Sequence, residues 1–395
     1  MSYHCDPTLL EEVRRYGKFD TAGCFNCGSC IQACDLAGDL ASFPRRSTRQ
    51  VLMGLRQILN EGLDPWICHD CGDCSTTCPR QTEPRDSMMT LRRYLASVYD
   101  WTGISSKINR SEAWHIGSLS FVAVSVLILI VLYHLYLVKT PFSDFPIFSA
   151  VTEFASTSMG MEHMFPLMTY FTLAVILFPF FILLTNAFRM YLITVHQKGS
   201  IRSPLSQWLI EARTFLLHFF TYKKMADCSA ENGRWFKHLL LGVGCMMMLA
   251  LMVFSLEWFQ TDKIYPIYHP QRWIGYLAAA FMIFGSVDIL VGRIRKKAEI
   301  HKSSDFMDWN FPILILATSV SGMAVHIFRY AGLDLATHYA YAIHMMISVP
   351  MLVIEMPFGK WTHMIYRPLA IYFQSLKELT HNLESPEGVR VYVAK

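Results

Sequence analysis

The chain has 395 residues, of which 53% are hydrophobic and only 17% charged, with 11 Cys, 22 Met and a mean hydropathy of +0.28. These values exclude a disordered chain, a small disulfide-rich secreted module and an ordinary soluble enzyme, whose surface needs more charge. A net charge of +4 is too small to argue for a nucleic-acid partner.

Residues 1 to about 110 read as soluble. Asp6 before Pro7 caps a short helix over Pro7–Tyr16. Ser47 caps a second, with Val51, Leu52, Leu55, Ile58 and Leu59 on one face and Gly62 as its stop. A third fits Pro84–Tyr99, with Met88, Leu91, Leu95 and Val98 at helical spacing.

From Ile116 the pattern changes. Ile116–Val138 contains no Asp, Glu, Lys or Arg, and at about 1.5 Å per residue it crosses a hydrocarbon core of about 30 Å. Five further spans fit Met164–Phe188, Leu239–Leu256, Trp273–Val291, Phe311–Phe328 and Thr337–Ile354. Six spans put both termini on one side. The loops on that side carry Lys198, Arg202, Arg213, Lys223, Lys224, Arg234, Arg293, Arg295, Lys296, Lys297 and Lys302, whereas the opposite loops carry far fewer basic residues, Lys139 and Lys263 among them. The positive-inside rule therefore predicts a multi-pass protein of the cytoplasmic membrane with both termini in the cytoplasm. The expected organisation is all-α: a two-cluster helical domain over 1–110, a six-helix membrane domain over 111–370 and a cytoplasmic tail over 371–395.

Eight of the cysteines form an internal repeat. Cys24-x2-Cys27-x2-Cys30-x3-Cys34 recurs 44 residues later as Cys68-x2-Cys71-x2-Cys74-x3-Cys78-Pro79. Residues 1–20 are polar and lack the apolar stretch of a secretory signal, so a reducing compartment is expected and metal binding takes precedence over disulfides. Four soft thiolates at this tight spacing suit iron–sulfur chemistry. A structural zinc module usually separates its Cys pairs instead. In two-cluster folds the fourth Cys serves the other cluster. One [4Fe–4S] cluster is thus expected on Cys24, Cys27, Cys30 and Cys78, and the other on Cys68, Cys71, Cys74 and Cys34. Asp35 stands where a Pro often follows the fourth Cys. Cys5, Cys228 and Cys245 fall outside the pattern and read as ordinary thiols.

Most of the 15 His read as surface or core residues, but those near membrane spans carry more information. His344 lies in the outer half of the sixth span. His363 follows 19 residues later, beyond Pro357, near the cytoplasmic face. A continuous helix would separate them by about 28 Å, with a kink at Pro357. His238 opens the third span at the depth of His363. Two imidazoles from facing helices bind haem iron from both sides, leaving no open position, so such a site passes electrons and does not activate oxygen.

The string Pro357-Phe-Gly-Lys-Trp-Thr-His363-Met-Ile-Tyr-Arg-Pro368, with His344 upstream, resembles the last span of the nitrate reductase gamma subunit family of di-haem cytochromes b. Gly233-Arg-Trp-Phe-Lys-His238 resembles the start of that family's second span. The resemblance implies that His238 and His363 hold a cytoplasmic-side haem b and His344 an outer one. The family's second outer ligand falls near Met248, where no His stands. His134 sits at a depth to pair with His344; His163 and His326 are rivals, and His115 is a rival on the inner side.

The soluble half, through its Cys repeat, Phe43-Pro-Arg-Arg-Ser-Thr-Arg49 and Trp66-Ile-Cys68, resembles the C-type subunits of heterodisulfide reductase. The fusion of the two halves is similar to the C-type subunit family of quinone-interacting membrane-bound oxidoreductases of sulfate-reducing bacteria. That resemblance implies menaquinone as diffusible substrate, flavin and iron–sulfur subunits as partners, and adenylylsulfate reductase downstream. No Gly-x-Gly-x-x-Gly after a strand, no Gly-Lys-Ser/Thr loop and no Cys-Cys-Gly repeat provides a soluble-substrate site. Alternatives are a membrane subunit of a heterodisulfide- or sulfite reductase-linked complex, and a redox-responsive anchor without turnover. Glu355 and Asp288, near the cytoplasmic end of the spans, are candidate proton carriers or structural ion-pair partners.

Overall fold

The computed structural model describes residues 4–21, 23–37, 43–137, 161–196, 205–226, 232–258, 263–296 and 298–384. Among these it is helical, with no strand. The N-terminal head opens with α1 (Leu9–Arg14), shorter at both ends than the expected Pro7–Tyr16. Asp6 accepts from the Thr8 N–H (2.9 Å) and hydroxyl (2.7 Å), so it caps the turn before the helix.

The single helix expected from Ser47 to Gly62 is instead two, α2 (Arg45–Leu52) and α3 (Arg56–Glu61). Ser47 lies inside α2, its buried hydroxyl facing Asp64 at 3.4 Å. The break falls at Gly54, which has φ +67°. A Cβ there would overlap the Asp6 carbonyl oxygen, and the Asp6 N–H donates to the Gly54 carbonyl at 2.8 Å. Helical periodicity does not register such a close approach from 48 residues away. The third expected helix forms over its expected residues as α4 (Pro84–Tyr99), with Met88, Leu91 and Leu95 fully buried. Short α5 (Ile104–Arg110) then leads into the membrane body.

That body contains six helices long and apolar enough to cross a membrane: α6 (Glu112–Leu132), α7 (Met161–Tyr191), α9 (Asn232–Phe254), α10 (Pro270–Arg295), α11 (Phe306–Tyr330) and α12 (Asp334–Pro350), with α8 (Leu205–Thr221) between the second and third. Helices α9 to α12 pack as sequential neighbours, and α6 returns against α12. This is the architecture of a multi-pass membrane protein. Exposed Phe121, Leu184 and Phe254 suit a surface that faces lipid.

Beyond Pro350 the sixth span becomes a π-helical turn over Met351–Glu355, then a short helix Met356–Phe358. The chain breaks at Gly359, passes through a 3₁₀ turn (Lys360–Thr362) and restarts as α13 (His363–Glu384). The path from His344 to His363 is therefore not one continuous helix. Its break sits at Gly359, two residues after Pro357.

Residue 371, the expected start of a tail, lies within α13. This helix packs into the N-terminal head: Tyr366, Ala370, Phe373 and Leu376 share one buried core with Leu9, Val13, Trp66, Leu91 and Tyr99. Tyr366 meets Trp66 edge-on at 5.1 Å and Tyr99 at 5.5 Å. Each such side chain contributes about 1.5–3 kcal/mol on leaving water, so the helix is structural to the head.

Candidate functional site

Each cysteine repeat is bent by the same backbone. Asn26 and Asp70 have positive φ, as do Gly28 (+90°) and Gly72 (+97°), and each glycine precedes a one-turn helix, Ser29–Gln32 or Asp73–Thr76. Only glycine takes this conformation without a Cβ penalty. The 44-residue offset is thus conformational as well as chemical.

The thiols gather in two small cavities. One is lined by Cys24, Cys27, Cys30 and Cys78, the other by Cys34, Cys68, Cys71 and Cys74. Among the described residues no group of three metal-ligating side chains closes on a single-ion site; the thiols ring open space instead. Their surroundings differ. Cys27 is exposed, and the Ser29 hydroxyl draws its thiol below the ordinary value. Cys68 and Cys74 are buried, and burial pushes both up.

Behind the second repeat lies a cavity of about 670 Å³ that runs down between α9, α10, α11 and the start of α13, within the size range of cofactor sites, about 300–1,000 Å³. His238 and His363 both line it, with ring centroids 6.2 Å apart and planes at 65°. Two metal–imidazole bonds of about 2 Å, with a ring radius at each end, put centroids at roughly this separation. Nδ1 of His363 donates to the Lys360 carbonyl at 2.5 Å, which fixes the tautomer in which Nε2 keeps its lone pair. Burial holds this imidazole well below its ordinary value, hence neutral. Nδ1 of His238 is buried with no hydrogen-bond partner. The chemistry and spacing of these two imidazoles would suit a haem held between them.

The second cysteine loop is tied to this pair. One turn before His238, Arg234 donates to the His69 carbonyl at 3.1 Å. One turn after His363, Arg367 donates to Nδ1 of His69. His69 is buried, adjoins Cys68 and lines both the thiol cavity and the large one. Arg92 holds the Pro65 carbonyl at 2.7 Å and also bonds the Cys68 carbonyl. The i±4 position of both arginines relative to the histidines was the available sequence signal; their shared target was not.

The other histidines are placed differently. His344 sits between α11 and α12, its Nδ1 3.0 Å from the Ser321 hydroxyl, facing Gly322. The side chains of His134 and His163, and all of Cys228, lie outside the described residues. His326 is engaged by Arg272 and by the Tyr276 hydroxyl at 2.5 Å. His115 bonds Glu355 at 2.5 Å and does not line the cavity of the inner pair. Asp288 pairs with Lys237 at 2.7 Å.

Residues 20–82 match the family described as 4Fe-4S dicluster domain. The head therefore resembles a two-cluster iron–sulfur domain, and the match supports [4Fe–4S] clusters on its eight thiols. It is 30% identical over 92 residues to a protein of Archaeoglobus profundus described as similar to the C-type heterodisulfide reductase subunit, covering 23% of this chain and 49% of that protein. It is 34% identical over 73 residues to a C-type iron-sulfur subunit of the CoB–CoM heterodisulfide reductase of Methanocaldococcus jannaschii, covering 18% of this chain and 39% of the relative. The match thus spans half or less of these relatives' lengths. A further likeness is to the E-type subunit of the dihydromethanophenazine:CoB–CoM heterodisulfide reductase of Methanosarcina mazei. It is 27% identical over 200 residues, 44% of this chain and 76% of that one. No solved structure matches the chain.

Proposed function

We propose that the chain is a membrane electron-transfer subunit joining a lipid-soluble quinol-type carrier to a redox partner on the head side. The observation that carries this reading is the His238–His363 pair, 6.2 Å apart, in a cavity that reaches the second cysteine loop. A b-type haem between these imidazoles would supply one-electron transfer with no open coordination position. Lys360 orients His363, and Arg234 and Arg367 hold the Cys68–Cys74 loop against the pair. One cluster belongs on Cys34, Cys68, Cys71 and Cys74, next to the cavity. The other belongs on Cys24, Cys27, Cys30 and Cys78, next to solvent. Electrons pass from the membrane site to the buried repeat and leave by the exposed one.

The relatives' names support partner subunits of a heterodisulfide reductase-like complex and a reductant of the dihydromethanophenazine kind. Menaquinol as that reductant, flavin and iron–sulfur partners, adenylylsulfate reductase downstream and a cytoplasmic head rest on the loop charges and on the resemblance of the fused halves. His344 with His134 is the proposed seat of an outer haem. The deciding experiment is metal and haem analysis of the purified complex, with spectra after quinol addition and identification of the co-purifying subunits. Roughly eight irons in two clusters plus haem b, reduced by quinol, is the expected result. His363→Ala should remove the inner haem while leaving both clusters, and an unchanged haem spectrum would refute its role.

A further inference from the structure

A second buried polar group lies behind the wall of the cavity. His115 opens the first span, Asn310 lies in the fifth, and Glu355 ends the π-helical turn of the sixth. His115 is 0% and Glu355 1% exposed. Nε2 of His115 lies 2.5 Å from one carboxyl oxygen of Glu355, and the Asn310 amide donates to the same oxygen at 2.6 Å. The other oxygen accepts from the Lys360 N–H at 3.3 Å. Two helices remote in sequence thus direct polar groups to a carboxyl carried by a third. Nδ1 of His115 is buried and has no partner.

The group is separated from the cavity by a single residue. Gly359 lines the cavity, and a Cβ on it would fall on the Glu355 carboxyl. Lys360, the next residue, binds Glu355 by its N–H and His363 by its carbonyl. The π-helical turn sets this register, and such turns recur at functional sites.

Charge decides what the group is for. A carboxylate accepting from a neutral imidazole leaves one net negative charge in a low-dielectric interior, which is costly unless neutralised. Among the described residues the neighbouring cations are engaged elsewhere: the Lys360 ammonium is taken by Asp308, which Arg293 also approaches at 3.9 Å, and the ring of Phe306 lies edge-on to His115. Adding an electron nearby raises the cost of the negative charge, and binding a proton removes it.

We propose that the His115–Glu355 pair is a redox-linked proton site, taking up one proton when the centre between His238 and His363 gains one electron. The proton comes from water and ends on Nδ1 of His115, converting a carboxylate–imidazole pair into a carboxylate–imidazolium pair. One electron and one proton enter together, so the buried charge is unchanged. The proton leaves when the electron moves on to the clusters. This inference rests on the haem reading above.

The test is a redox titration of the inner haem in the purified complex at several pH values. One proton per electron changes the reduction equilibrium tenfold per pH unit, about 59 mV, with the potential falling as pH rises. Glu355→Gln and His115→Asn should each flatten that slope while the spectrum of the two-histidine iron is kept. A slope that survives both substitutions, or a flat slope in the natural protein, overturns the proposal. Since a substitution so deeply buried can prevent folding, redox-difference infrared spectra of the natural complex with labelled histidine provide a second readout. Reduction should convert one imidazole to imidazolium, and unchanged histidine bands overturn the proposal. Absence of haem would sink both readings, whereas a haem of pH-independent potential sinks only this one.

Discussion

Gly28 and Gly72 hold the same left-handed conformation 44 residues apart, yet they face different neighbours. A Cβ on Gly28 would meet only the tip of Arg45, at 3.5 Å, whereas one on Gly72 would strike Glu299 of the loop after the fourth span at 2.7 Å. The contrast extends to the rest of each repeat. Phe25, between the first two cysteines, is 70% exposed, with the Arg80 guanidinium 4.5 Å above its ring. Its counterpart at the same offset, His69, is 4% exposed and bonded to arginines from two helices. Arg85 adds to the docking of the second repeat, pairing with Asp70 at 2.5 Å and donating to the Ile300 carbonyl at 3.0 Å. One local sequence pattern therefore serves two ends of a path, and the difference lies in what packs against it.

The largest expected effect separates the buried side from the exposed one. Trp66→Ala removes a core side chain shared by the head and α13 and should destabilise by about 3–5 kcal/mol, while Phe25→Ala should stay within about 0.5 kcal/mol. Thermal unfolding of the solubilised protein compares them; equal shifts would erase the distinction. Next in size, Gly28→Ala and Gly72→Ala should each lose about 1–2 kcal/mol to the left-handed backbone, but Gly72→Ala also forces Glu299 aside. Only the second should slow electron passage from the membrane site to the clusters, read by stopped-flow reduction.

A smaller effect concerns access. A hydrophilic oxidant should bleach the cluster beside exposed Cys27 several-fold faster than the one beside buried Cys68 and Cys74, followed by electron paramagnetic resonance. Matching rates would contradict the proposed order of the path.

The smallest effect lies outside both repeats and serves as their control. The Thr8 hydroxyl and N–H, then Arg56, lower the Asp6 carboxyl from 3.8 to about 2. Its folded value is depressed, so its contribution is present above pH 4 and is lost as pH falls from 3.8 through about 2. Asp6→Asn should remove that acid-side slope in an unfolding titration and leave the oxidant response of both clusters unchanged.

Much of this arrangement was legible in the residues. The six spans follow from runs of apolar side chains, since crossing a membrane demands length and hydropathy and little else. The doubled thiol motif follows from spacing, because Cys24, Cys27 and Cys30, like Cys68, Cys71 and Cys74, are brought together by local backbone, while the fourth thiol of each set comes from the other repeat. The helix expected across Gly54 failed for the opposite reason: its break answers Asp6, far away in sequence. Nor was it legible that residues beyond 370 continue a helix packed on the head, because an amphipathic helix does not state which core it completes.

By itself the sequence determined the all-helical class, the membrane spans and the eight thiols, all properties of short windows. Only the tertiary structure decided which repeat is buried, that His238 meets His363, that two arginines converge on His69, and that Glu355 finds His115 across 240 positions. Such pairings depend on how helices pack, and a helix with apolar residues on every side carries little information about which neighbour each face will meet.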